Sequence, residues 1–181
     1  ATLGVEEEYF LIDAETRDLA SRPPTEFMDR CKAALGDRVT HEFLHSQVEI
    51  GTGVCATVDD VAQELADLRG TVASVAERYG MRLVAASTHP WANWHEQVPV
   101  DIERYRILHR DHRTIARRLV VCGMHIHAGI ADEQERVDAM NQMVFYLPHL
   151  LALSTSSPFW EGDATGLKSF RPTIFGDLPR T

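Results

Sequence analysis

Gly4-Val5-Glu6-Glu7-Glu8-Tyr9-Phe10-Leu11-Ile12 reads as a β-strand with acidic residues written into it. Alternation of side chains puts Glu6 and Glu8 on one face, about 7 Å apart along the chain. Glu7 falls on the other face with Leu3, Val5, Tyr9 and Leu11, where it must find a partner. A strand selected only for packing would carry Val, Ile or Thr here, because carboxylates on a half-buried face lose hydration without improving the fit. The segment therefore predicts either a cation joining Glu6 and Glu8 or a solvated strand face, and by itself it leaves both open.

Bulk properties bound the answer. At 181 residues, 44% of them apolar, with a mean hydropathy of −0.21, the chain can build one packed core, and a single domain over 1–181 is expected. A net charge of −9, with 18 Lys and Arg against 27 Asp and Glu, argues against nucleic acid as a partner. Cys31, Cys55 and Cys122 are widely spaced and lack a C-x-x-C pair, which fits reduced thiols better than a disulfide frame. No secretory signal pattern and no apolar run of about 18 residues is present, so a soluble cytoplasmic protein without membrane contact is expected.

Outward from the acidic strand, helices and strands alternate without a linker. Pro23-Pro24 leads into a short helix with Phe27, Met28, Cys31 and Leu35 at helical spacing, ended by Gly36. Strands are predicted at about 38–43 and 46–55. Thr57 with Asp60 forms a capping box for the longest helix, which places Val61, Leu65, Leu68, Val72, Val75 and Tyr79 on one face up to Gly80. A strand follows at Met81–Ala86, then an aromatic loop from Ser87 to Trp94 and a helix from about Asp101 to Arg118. The strand Val120–Ile130 precedes a helix opened by Asp132 with Glu135, carrying Val137, Met140, Val144, Leu147 and Leu151 and kinked near Pro148.

Further chemistry is written into this order. His125 and His127 share a strand face, with Met124 and Ile126 turned toward the expected core; paired imidazoles can ligate a metal, hold phosphate oxygens, or simply sit half-exposed. Gln47-Val48-Glu49-Ile50 again sets a carboxylate into a β-prone stretch, as a site residue or as an edge charge. Carboxylates with one histidine suit Mg²⁺ or Mn²⁺ better than Zn²⁺, because hard cations prefer oxygen. The polar run from Ser154 to Arg171 is longer than structureless loops usually are, which points to ligand contact, and Arg171 offers a fork for a carboxylate.

Taken in order, Gly4-Val5-Glu6-Glu7-Glu8, Gln47-Val48-Glu49, Gly123-Met124-His125-Ile126-His127 and Ser156-Ser157-Pro158-Phe159-Trp160 through Ser169-Phe170-Arg171 resemble the bacterial glutamate–cysteine ligase type 2, or carboxylate–amine ligase, family. The resemblance covers the whole chain, though family members are about twice as long, so the chain is read as the N-terminal part of a ligase catalytic domain. It implies an α+β, glutamine-synthetase-like fold, a curved and mainly antiparallel sheet with helices packed on one face. It further implies Glu6, Glu8 and Glu49 as metal ligands, with Glu42 as a weaker candidate. His125 would lie at the metal and phosphate end with His127 beside it, and Arg171 in the substrate region. The implied cofactors are Mg²⁺ or Mn²⁺, with ATP as co-substrate.

The expected reaction joins the γ-carboxylate of glutamate to an amine such as cysteine through an acyl phosphate, a step of glutathione biosynthesis. The expected partners are those small molecules, and an open sheet edge suggests a homodimer. Ser157 has no evident base, which disfavours a hydrolase triad. Two other classes remain: a module that binds a cation or nucleotide without turnover, and an iron oxidoreductase using His125, His127 and Glu49, which would leave Glu6 and Glu8 idle.

Overall fold

A computed structural model describes residues 1–177 of the chain. The acidic stretch lies in β1 (Thr2–Asp13), the central strand of an antiparallel sheet. On one side β1 pairs with β3 (Gln47–Gly51), placing Glu8 opposite Glu49, and beyond β3 lies β2 (Val39–His41). On the other side β1 has two successive neighbours, β5 (Met124–Gly129) along Thr2–Glu7 and β4 (Met81–Val84) along Phe10–Asp13. Glu8 sits where the neighbour changes, its N–H donating to the Gly123 carbonyl at 3.0 Å.

One face of the sheet is covered by α1 (Thr25–Leu35) and α2 (Val58–Glu77). Val5, Tyr9 and Leu11 meet Phe27, Met28 and Cys31 of α1 and Leu65, Leu68 and Val72 of α2 there. The capping box forms: Thr57 Oγ1 accepts from the Asp60 N–H at 3.1 Å, and an Asp60 carboxylate oxygen accepts from the Thr57 N–H at 2.9 Å. Gly36 and Gly80 both take positive φ just beyond these helices, which is the conformation that stops a helix at low steric cost. Glu7 does find a partner on this face. Arg69 of α2 donates to both of its carboxylate oxygens, and the Tyr9 hydroxyl completes the network.

The opposite face is divided. At the β4 end, Phe10 and Ile12 enter a second core with Phe43, Leu44, Val100, Tyr105, Val120, Val121, Trp160 and Ile174. At the β5 end, Glu6 and Glu8 are only half-buried. α3 (Glu103–Arg117) borders the second core through Tyr105 and Ala116.

Four expectations change. The strand predicted from Val120 starts only at Met124, because Val120, Val121 and Cys122 turn into the second core. Met124 and Ile126 are 56% and 65% exposed rather than in a core, since no described element packs over that side of β5. The helix after Asp132 divides into α4 (Glu133–Met143), a 3₁₀ turn at Val144–Tyr146 and α5 (Leu147–Leu153). The break precedes Pro148, which sits in the first turn of α5, where its missing N–H costs nothing. Val137, Met140, Val144, Leu147 and Leu151 all remain exposed.

The polar run after α5 is also more ordered than a loop. β6 (Phe159–Trp160) and β7 (Asp163–Ala164) form a small hairpin. Its two turn residues, Glu161 and Gly162, both have positive φ, as a type I′ turn requires. Ser157 then bridges to Ser169, and α6 (Arg171–Gly176) opens at Arg171.

Candidate functional site

The β1–β3 register sets Glu8 and Glu49 directly across from each other, and the loop after β2 brings Glu42 to the same point. One carboxylate oxygen from each of Glu8, Glu42 and Glu49 lies within 4.8 Å of the other two. Like charges this close raise one another's proton affinity. Burial pushes the Glu8 carboxyl above its usual range, and neighbouring Glu49 adds to the effect, while the Gly123 N–H and Arg171 oppose it. Glu49 is raised by burial and then by Glu42 and Glu6, against a hydrogen bond from the Thr40 hydroxyl at 3.3 Å. Three oxygen donors of this kind fit a hard divalent cation such as Mg²⁺ or Mn²⁺.

Glu6 stands apart from this trio. The β1–β5 register places it opposite His125. One of its carboxylate oxygens lies 3.3 Å from His125 Nδ1 and 3.2 Å from His127 Nε2. The carboxylate in contact with both imidazoles is thus Glu6, and among the described residues His125, His127 and Glu49 do not converge as the ligand atoms of an iron site would. Of the carboxylates quoted from the sequence as ligands, Glu8 and Glu49 share the trio, Glu42 completes it, and Glu6 serves the histidines.

Arg171 closes the site from the far side. Its guanidinium lies against Gly123, so close that a Cβ at that position would be 2.6 Å from an Nη atom. Its Nε is buried without a hydrogen-bond partner, and the guanidinium stacks over the Phe175 ring at 4.4 Å. Gly123 also donates its N–H to Glu8 at 2.7 Å, so one glycine steadies the carboxylate and leaves room for the Arg171 guanidinium. A cavity of about 360 Å³ opens here, lined by Glu8, Ser87, Gly123, Ser156, Ser169 and Arg171 among others.

Ser157 is fully buried and its hydroxyl accepts the Arg171 N–H at 3.1 Å. It is a clamp on the start of α6. Sequence reasoning gave no role to Gly123, Thr40 or Ser157. For Thr40 the signal was its place in β2 opposite Glu49; the other two act through long-range contacts that no local pattern shows.

Comparison with known proteins places the chain in a family. Residues 2–181 match glutamate–cysteine ligase family 2 (GCS2). Putative glutamate–cysteine ligase 2 of Jannaschia sp. is 52% identical over 180 residues, which is 99% of this chain and 47% of that protein. The corresponding Rhodospirillum rubrum protein is 48% identical over 184 residues, with 99% and 47% covered. The chain thus spans about half the length of the curated relatives it matches. Among solved structures, glutamate–cysteine ligase from Francisella tularensis in complex with AMP superposes with a TM-score of 0.60 at 15% identity, covering 78% of this chain and 29% of that one. A bifunctional glutathione synthetase from Pasteurella multocida gives 0.64 at 17% identity, covering 92% and 25%. At such identities the likeness speaks for the α+β fold alone. The chain belongs to glutamate–cysteine ligase family 2.

Proposed function

We propose that this chain is the N-terminal part of the catalytic domain of an ATP-dependent carboxylate–amine ligase that joins the glutamate γ-carboxylate to the amine of cysteine or a related amino compound. The observation that carries the reading is the Glu8, Glu42 and Glu49 trio on the open sheet face, beside two imidazoles and a partly unpaired arginine, in a member of this family. In the reaction, a γ-carboxylate oxygen attacks the terminal phosphorus of ATP and ADP leaves. The amine nitrogen then attacks the acyl carbon, and phosphate departs with that carboxylate oxygen.

Each residue has a part in this. Glu8, Glu42 and Glu49 would hold Mg²⁺ or Mn²⁺, which when bound neutralises charge on phosphate oxygens. His125 and His127, oriented by Glu6, would steady the phosphates through ring N–H groups. Arg171 would bind an amino-acid carboxylate with its free N–H groups. Cysteine as the amine, glutathione synthesis and a cytoplasmic site belong to the same reading.

These residues form one wall of a site, whereas phosphoryl transfer needs donors on several sides of the nucleotide. The 181-residue chain is therefore expected to bind cation without appreciable turnover. The test is ADP release by a chimera in which this chain replaces the matching segment of the Jannaschia protein. Release that depends on both glutamate and an amine supports the reading; a folded chimera that hydrolyses ATP equally well without them rejects it.

Gly123 offers a sharper test of Arg171. In the chimera, Gly123→Ala is expected to raise the KM for glutamate about tenfold or more, equivalent to about 1.4 kcal/mol, because the new methyl displaces the guanidinium. Its backbone N–H still serves Glu8, so Mn²⁺ affinity should stay close to the parent value. An unchanged KM would remove Arg171 from the substrate site.

A further inference from the structure

Gln47 lies in one of the motifs that mark the family, yet neither the cation trio nor the phosphate end of the site uses it. Its side chain is 1% exposed, so both ends of the amide must be satisfied inside the protein. They are satisfied by two different segments. Oε1 accepts the Leu44 N–H at 3.2 Å, while Nε2 donates to the Val121 carbonyl at 2.7 Å and lies 3.6 Å from Cys122 Sγ. The Gln47 N–H also returns to the Leu44 carbonyl at 3.0 Å, which locks the turn into β3.

The two segments are the ones that build the site. Leu44 lies two residues after Glu42, and Val121 two residues before Gly123, whose N–H holds Glu8 and whose missing side chain admits Arg171. Glu49, on the same strand as Gln47, supplies the remaining carboxylate of the trio. We propose that Gln47 is a positioning residue: its buried amide fixes the spacing between the Glu42 loop and the Val121–Gly123 segment, and so sets the separation of the carboxylates.

The inference rests on the reading that the trio holds a divalent cation, and the experiment separates the two. Mn²⁺ affinity of the 181-residue chain is measured by electron paramagnetic resonance, at a temperature where each variant is folded, beside the melting temperature. Gln47→Met keeps the bulk and removes both hydrogen bonds. Val48→Ala opens a cavity in the adjacent, fully buried position on the helix-covered face without touching the amide. Gln47→Met should weaken Mn²⁺ binding roughly tenfold, as loss of groups that orient ligands commonly does. Val48→Ala should lower the melting temperature and leave Mn²⁺ affinity within about twofold, since it orients no ligand.

The Gly123 amide proton, which needs no metal to be observed, should shift in Gln47→Met and not in Val48→Ala. Should Gln47→Met fail to fold, Gln47→Glu in its ionised form keeps the acceptor for Leu44 and loses the donor to Val121; its added charge alone would favour a cation, so weakened Mn²⁺ binding still reports lost positioning. Wild-type affinity in a folded Gln47 variant, or equal weakening by Val48→Ala, overturns the positioning role while the cation reading stands. Absence of Mn²⁺ binding by the parent chain overturns both.

Discussion

Replacing Glu8 by Gln is expected to weaken Mg²⁺ or Mn²⁺ binding by at least about 100-fold, the upper end of what losing an outer-sphere partner alone costs. The same change should stabilise the metal-free protein. Glu8 and Glu49 hold their protons more tightly when folded than the ordinary value of 4.5, so the folded state binds more protons than the unfolded one. Their contribution is therefore most favourable below about pH 4.5 and is lost as pH rises through the elevated folded values. Thermal melts without metal between pH 4 and 7 should show the parent losing stability relative to Glu8→Gln as pH rises. Saturating Mg²⁺ should reverse the order at pH 7, because it binds only the folded parent tightly. Equal metal affinity in the variant would remove Glu8 from the ligand set.

The largest effect on folding is expected at Arg69. Its guanidinium is half exposed, but the Glu7 carboxylate it serves is buried between β1 and α2. Arg69→Met keeps most of the stem packing and leaves that carboxylate without its cation. Breaking a fully buried pair costs about 3–5 kcal/mol, and the exposure of Arg69 brings the expectation down to about 2–3 kcal/mol. Urea unfolding at pH 7 measures it. Combining Arg69→Met with Glu7→Gln should recover a good part of the loss, since the uncompensated charge is then gone. A loss under about 0.5 kcal/mol in the single variant would mean that water already screens Glu7.

How far the sequence was legible follows from the range of the interactions involved. Parity along β1 gave the faces of Glu6, Glu7 and Glu8, because alternation is a property of the strand itself. The Thr57 and Asp60 capping box and the apolar stripe of α2 were equally local. What escaped is set by pairing at a distance. Glu42, a weaker candidate through the family resemblance, lies in a loop with no periodicity, so its meeting with Glu8 and Glu49 is not written in its own stretch. Glu6 meets His125 and His127 because of the β1–β5 register, which residue spacing does not encode. The exposure of Met124 and Ile126 depends on what packs against β5, and nothing in their own stretch reports that.

The proposed reaction at this acidic face activates glutamate by phosphorylating its γ-carboxylate. It is tested most directly by supplying the chimera with glutamate carrying ¹⁸O in the γ-carboxylate, together with ATP and cysteine, and analysing the released phosphate by mass spectrometry. The predicted result is one labelled oxygen in the phosphate for each amide formed, with both products lost together in Glu8→Gln. Unlabelled phosphate from a chimera that still forms the amide would contradict the acyl phosphate, and labelled phosphate undiminished in Glu8→Gln would contradict the role of the acidic trio.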